Sequence, residues 1–186
     1  DLHARTPISG IVALGGSMGS SLGSVVMQAF PYGMPKVLVS TMASGFTLPF
    51  VRAKDIIMFN PVCDIAGLNS ITRDVFRNAA IAAAAMAKEY SPIKTEPKPL
   101  IAMGTLGTID RCTVRVRKAL EEKGYEVMVF HTLGTGGMAL DQIVSERNVV
   151  AVIDSSLVEH NDFLNNGLCS AGPDRSKAAL KKGIPV

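Results

Sequence analysis

Tryptophan is absent, and aromatic residues make up only 5% of the chain. So few flat rings leave little on which the bases of a nucleic-acid strand could stack. Charge argues the same way. The formal net charge is +3, and the only local basic groupings, Arg111-Arg115-Arg117-Lys118 and Lys181-Lys182, fall on helical patterns as solvated faces. Direct nucleic-acid binding is therefore not expected. Cysteine is scarce too: Cys63, Cys112 and Cys169 are odd in number, widely spaced and without a CxxC pair. That argues against a disulfide framework and for a reduced, cytoplasmic compartment. The histidines, His3, His131 and His160, show no zinc-like spacing, so no metal centre is expected. The longest apolar run, Ala79 to Ala87, is too short and too rich in alanine to span a membrane, and no signal peptide is expected.

What the chain does hold is material for a core. Of its 186 residues 47% are hydrophobic and 19% charged, the balance of one domain or two small ones. Short continuous apolar runs at Ile11–Leu14, Lys36–Ser40, Ile56–Asn60, Leu100–Met103, Glu126–His131 and Val149–Asp154 predict parallel strands buried on both faces. Helical patterns at Ser20–Phe30, Leu68–Tyr90, Arg111–Lys123, Gly137–Glu146, Ser156–Asn165 and Pro173–Lys182 alternate with them. The alternation predicts an α/β fold of doubly wound sheets with right-handed crossovers. Arg111–Lys123 puts Cys112, Val116, Ala119 and Leu120 on one apolar stripe before Gly124 stops it, and Pro173 with Asp174 opens the last helix.

Ser91–Pro99 is proline-rich and aperiodic, and reads as a surface connection (91–99) between two lobes, 1–90 and 100–186. The first lobe has only three strands. The chain opens at Asp1 like the tail of a preceding element and stops at Gly183-Ile184-Pro185-Val186 like a strand beginning. These features predict a fragment of a longer protein. From Asn78 to Ala87 the second helix carries no charge on any face. It is predicted to be buried all round, either between its sheet and the other lobe or in a homodimer interface.

A strand, a glycine-rich turn and a helix occur twice. Gly15-Gly16-Ser17-Met18-Gly19-Ser20-Ser21 follows the first strand, and Gly134-Thr135-Gly136-Gly137 follows the fifth, after His131 and Thr132. Such turns leave backbone N–H groups unpaired at a helix N-terminus, where an anion can be held. Neither is a Walker A loop or a full GxGxxG fingerprint, and each also reads as a tight packing turn. Two of them at strand C-termini point to one anionic ligand approached from two sides. Ser40-Thr41-Met42-Ala43-Ser44-Gly45 and Gly104-Thr105-Leu106-Gly107-Thr108 lie on the same kind of edge, suited to ribose or phosphate oxygens or to ordinary turns. Cys112, beside Arg111 at a helix start, is a candidate nucleophile or a simple buried residue. His131 is a candidate general base or a structural histidine. Asp64 and Asp154 are candidate magnesium or ribose ligands by position alone.

Taken together, Val12–Ser17, Pro35–Gly45, Asp64–Asn69, Gly124–Val127, Val129–His131, Gly134–Gly137 and Ser170–Arg175 resemble the Tm-one-like ATP-binding domain family, the tomato mosaic virus resistance protein-like family. The resemblance covers nearly the whole chain. It implies a domain about twice this length built of two Rossmann-like lobes, nucleotide binding with ATP as the expected ligand and magnesium as its companion, and a homodimer. In the plant member the domain binds a viral replication protein; that role is not carried over. Two stretches depart from the family pattern. Gly107-Thr108-Ile109-Asp110-Arg111-Cys112 stands where Gly-Val-Thr-Thr-Pro-Cys is usual, and Asp154-Ser155-Ser156-Leu157 stands where Asp precedes threonines. The leading expectation is that Gly15, Gly16, Ser17, Gly19, Ser20, Gly134, Thr135, Gly136 and Gly137 cradle phosphates in an inter-lobe cleft. Ser40, Thr41, Ser44, Gly45, Gly104 and Thr105 would complete the site. The alternatives are an enzyme on a phosphorylated or carboxylated metabolite using Cys112 or His131, and a protein-interaction module organised by nucleotide.

Overall fold

Lys36–Ser40 is flanked by Pro35 and by the Thr41–Gly45 turn, and every residue of the run is buried. It forms β2, the centre of a parallel sheet of order β1-β2-β3, with β1 at Ile11–Gly15 and β3 at Ile57–Phe59. A second parallel sheet, of order β5-β4-β6, is centred on the equally buried β4 (Leu100–Thr105), with β5 at Glu126–His131 and β6 at Val149–Asp154. The computed structural model describes residues 7–92 and 97–186, and the chain divides into two units, Asp1–Lys94 and Thr95–Val186. The opening at Asp1 and the middle of the expected connection, 93–96, lie outside the described residues.

In the first unit the helices are α1 (Ser17–Gln28), α2 (Leu48–Val51) and α3 (Ser70–Glu89). Leu38 faces Met27 of α1, Phe50 of α2 and Ile56, while Val37 and Val39 face Ala79 and Ala83 of α3. The sheet is therefore covered on both sides, as in a doubly wound fold. In the second unit a 3-10 turn (Gly107–Ile109) leads into α4 (Asp110–Glu121), followed by α5 (Thr135–Glu146), α6 (Val158–Asn165) and α7 (Lys177–Lys182). Leu140, Ile143 and Val144 of α5 join Ile101, Ala102 and Met103 of β4 among the buried residues. Both units are thus α/β and Rossmann-like.

The differences from the sequence expectations have physical causes. Only the central strands are buried on both faces. Among the described residues β1 is an edge strand, and its Val12 and Leu14, in register with Val37 and Val39 but outside the cluster those two form with α3, are about half exposed. Within its own unit α3 is not buried all round: Ala79 and Ala83 face the sheet, while Ala80, Ile81, Ala84 and Ala85 are exposed. It starts at Ser70 because Asn69 caps it reciprocally with Thr72. The last helix starts at Lys177 rather than Pro173. Ser176 sits in the left-handed region (φ 69°), its N–H held by both Asp141 carboxylate oxygens at 3.0 and 2.9 Å, so the helix cannot run back through it.

Candidate functional site

The first glycine turn is an open helix start. Helix α1 begins at Ser17, directly after Gly16, and its first internal bond runs from the Ser20 N–H to the Gly16 carbonyl, 2.8 Å. The N–H groups of Ser17, Met18 and Gly19 lie before that bond, and the Gly16 cap position supplies no side chain to receive them. The tightness of the turn needs glycine: a Cβ on Gly15 would sit 2.6 Å from Gly19 Cα. Gly16 is different, since a Cβ there would meet only Thr41 Oγ1, at 3.6 Å. Beside this turn, at the C-terminal ends of β2 and β3, lies a cavity of about 400 Å³ lined by Thr41, Ser44, Asn60, Val62, Cys63 and Asp64. Thr41 links the two, its N–H donating to the Gly15 carbonyl at 3.3 Å. Val62, β-branched yet at φ 66°, is held in that conformation by its N–H to Asn60 Oδ1, 3.0 Å. Strain of this kind concentrates where a loop is shaped for a ligand.

Two of the hydroxyls expected to meet a ligand are turned inward instead. Ser20 and Ser40 are buried and share a hydrogen bond of 2.6 Å, and the Ser40 hydroxyl also accepts from the Met42 N–H. They fasten the turn to β2. Ser17 and Gly45 are exposed.

The second glycine turn is filled. Glu159, from the first turn of α6, is 0% exposed, and its Oε1 accepts from the N–H of Gly134 (2.7 Å) and of Gly137 (2.9 Å). Its Oε2 accepts from Arg175 Nε at 2.8 Å. The chain therefore places its own carboxylate on the donors where an anion was expected. Glycine is needed at both inner positions: a Cβ on Gly137 would fall 1.9 Å from Glu159 Oε2, and one on Gly136 1.7 Å from the His131 carbonyl oxygen. Thr135 opens α5 beside them.

Arg175, its side chain 2% exposed, is the centre of this network. Nη2 donates to Asp154 Oδ2 at 2.9 Å, Nη1 donates to Ser176 Oγ at 3.2 Å, and Asp141 Oδ2 lies 3.6 Å from Nη1. His160 Nε2 lies 3.5 Å from Asp154 Oδ2 and 3.2 Å from Ser176 Oγ. Asp154 is thus engaged by Arg175, leaving its buried Oδ1 without a partner. Gly104 packs under it, since a Cβ there would come within 2.8 Å of that oxygen. Thr105 is buried and its carbonyl receives the Thr132 N–H and hydroxyl. No periodicity or spacing announces Asp141, Glu159, Arg175 and Ser176, which come from two helices and a turn; Ser170–Arg175 carried only a resemblance.

Burial pushes the Asp141 carboxyl up from its ordinary 3.8, outweighing the Ser176 N–H and Arg175, with Asp154 and Glu159 adding to the rise. The folded state then holds this proton more tightly than the unfolded chain. Its contribution to stability is greatest at low pH and falls as pH rises through the raised value. Asp141→Asn lacks that dependence. Its melting temperature should gain on the wild type as pH rises from below 3.8 through the raised value, read as the difference between two thermal scans at each pH.

Of the proposed catalytic residues, Cys112 is exposed in the first turn of α4 rather than buried on its apolar stripe, where Thr113 is the buried residue. His131 is exposed at the end of β5. Asp64 lines the cavity, with Oδ1 receiving the Ile65 N–H. Among the described residues no His, Cys, Asp or Glu group is arranged to hold a metal ion, and no helix is long and apolar enough to cross a membrane.

Two parallel-sheet units with helix N-termini at their strand ends define a Rossmann-like α/β protein. Residues 1–92 match the N-terminal domain, and 98–186 the C-terminal domain, of the uncharacterised protein family UPF0261. The chain belongs to that family. It is 42% identical over 184 residues to the UPF0261 protein of Clostridium tetani, covering 99% of this chain and 46% of the relative. It is 38% identical over 183 residues to the UPF0261 protein mlr3387 of Mesorhizobium japonicum, with 98% and 46% coverage. The ToMV resistance protein Tm-1(GCR237) of Solanum lycopersicum is 34% identical over 186 residues, 96% of this chain and 24% of the tomato protein. The chain spans about half the length of the bacterial relatives it matches.

Proposed function

We propose that this chain is part of a nucleotide-binding α/β protein, with ATP the expected nucleotide and the phosphates held in the first unit. The observation that carries this reading is the uncapped N-terminus of α1 beside a polar cavity. Ser17, Met18 and Gly19 supply N–H donors and the positive end of a helix dipole. A cavity of about 400 Å³ at the strand ends is of ligand size. In this reading Thr41, Ser44 and Asn60 receive ribose and phosphate oxygens, and Asp64 accepts the magnesium that accompanies the phosphates. Phosphate fits better here than at the second turn, whose donors are engaged by Glu159. Bound nucleotide would supply a polyphosphate for transfer or hydrolysis; this chain's residues would hold and orient it.

The same reading takes the full-length protein as a cytoplasmic homodimer. Free Cys63, Cys112 and Cys169 support a reducing compartment. The exposed Ala80, Ile81, Ala84 and Ala85 side of α3 supports a contact with a second copy. Isothermal titration of the full-length protein with ATP and magnesium tests the central point. Saturable heat at millimolar ligand or below is expected, and none from folded protein would refute nucleotide binding.

A further inference from the structure

Helix α1 turns its apolar side outward. Its buried residues are Ser20, Ser24 and Met27, whereas Met18, Leu22, Val25 and Val26 are 53–77% exposed. Those four fall at i, i+4, i+7 and i+8, which is one side of a helix. None of the 12 residues of α1 is charged. A helix side that faces water normally carries polar and charged residues.

The strand before it is equally unguarded. The Ile11 N–H donates to the Pro35 carbonyl and the Gly15 carbonyl accepts from the Thr41 N–H, so the backbone groups of Ile11 and Gly15 face β2. Alternation along the strand turns those of Val12 and Leu14 the other way, to the edge that is open among the described residues. Their side chains are about half exposed as well. Edge strands that stay open are kept very short, charged, bulged or marked by proline. β3, on the far side of the sheet, is such an edge: three residues long, with Pro61 just beyond it. β1 reads Ile-Val-Ala-Leu-Gly, in unbroken register with β2, and has no charge, proline or bulge.

We infer that this edge is an interface, and that its occupant is a strand with an accompanying helix from the part of the full-length protein that this chain does not span. The strand pairs with the outward backbone groups of Val12 and Leu14 and extends the first sheet. The helix packs on the stripe of Met18, Leu22, Val25 and Val26. A strand alone would leave the stripe in water, and a helix alone would leave the edge unpaired; a strand–helix pair meets both demands. The relatives have the chain for it: the matches cover 99% and 98% of this chain but 46% of each bacterial relative. The α3 side proposed for a second copy lies across the sheet, since α3 packs on Val37 and Val39 while α1 packs on Leu38. Nothing here requires that a nucleotide bind; the inference takes from the proposed function only that this chain is part of a longer protein.

Two measurements on the full-length protein test it. In the wild type, the Val12 and Leu14 amides should exchange their hydrogens at least about a hundredfold more slowly than unstructured chain, and dilution should not change this. A photo-reactive benzophenone side chain in place of Leu22 should cross-link to a peptide outside the sequence of this chain. Mixing isotope-labelled and unlabelled protein should show that the link lies within one molecule. Exchange of Val12 and Leu14 at the rate of unstructured chain would overturn the inference. So would a cross-link to a second copy, a cross-link only to residues of this chain, or none from a folded variant. If the Leu22 variant does not fold, the wild-type exchange rates decide.

Discussion

Arg175→Ala should cost the second unit about 3–5 kcal/mol, the range found when one partner of a buried ion pair is removed. The guanidinium is almost fully buried and donates to Glu159, Asp154 and Ser176 at once. Its loss leaves two carboxylates, 0% and 5% exposed, with no cation between them. Glu159 would stay on the Gly134 and Gly137 N–H groups while losing its charge partner, and Asp154 would lose the partner of Oδ2. Arg175→Lys restores the charge but cannot donate in three directions from a planar fork, so it should recover only part of the loss. Urea unfolding followed by hydrogen exchange on α5 and β6 measures the change. A loss below about 1 kcal/mol would mean that the network is surface-like and contributes little.

The fold was legible because its strands are short apolar runs bounded by turn residues. Lys36–Ser40, Glu126–His131 and Val149–Asp154 run between the same residues in sequence and structure. The edges were less so. An apolar run does not tell whether a strand lies at the centre of its sheet, and Val12 and Leu14 are exposed on β1, which among the described residues has a neighbour on one side only. Likewise the alanine run of α3 does not tell how much of its surface meets its own unit. The start of α7 was hidden because Pro173 and Asp174 look like a helix opening, while the outcome depends on Asp141, far away in sequence, holding the Ser176 N–H.

The two glycine turns were visible as a pair, but not the difference between them. That difference rests on Glu159, which lies two elements beyond the turn it fills, and on Arg175 behind it. Among the described residues the first turn has no such partner.

Gly16→Asp should therefore turn the first glycine turn into a likeness of the second. The position has ordinary extended backbone (φ −76°, ψ −156°) and room for a side chain. Aspartate there can accept from the Met18 or Gly19 N–H and complement the helix dipole, so the protein should be as stable as before or firmer by about 0.5 kcal/mol. An incoming phosphate would then find its donors taken and a negative charge in its place. Affinity should fall at least about tenfold, or roughly 1.4 kcal/mol.

Paired calorimetric titrations of the folded full-length wild type and Gly16→Asp with ATP and magnesium are the most direct measurement. Saturable binding to the wild type, lost or greatly weakened in a variant of undiminished melting temperature, is the predicted result. Equal binding to both proteins would contradict a phosphate site at the α1 N-terminus.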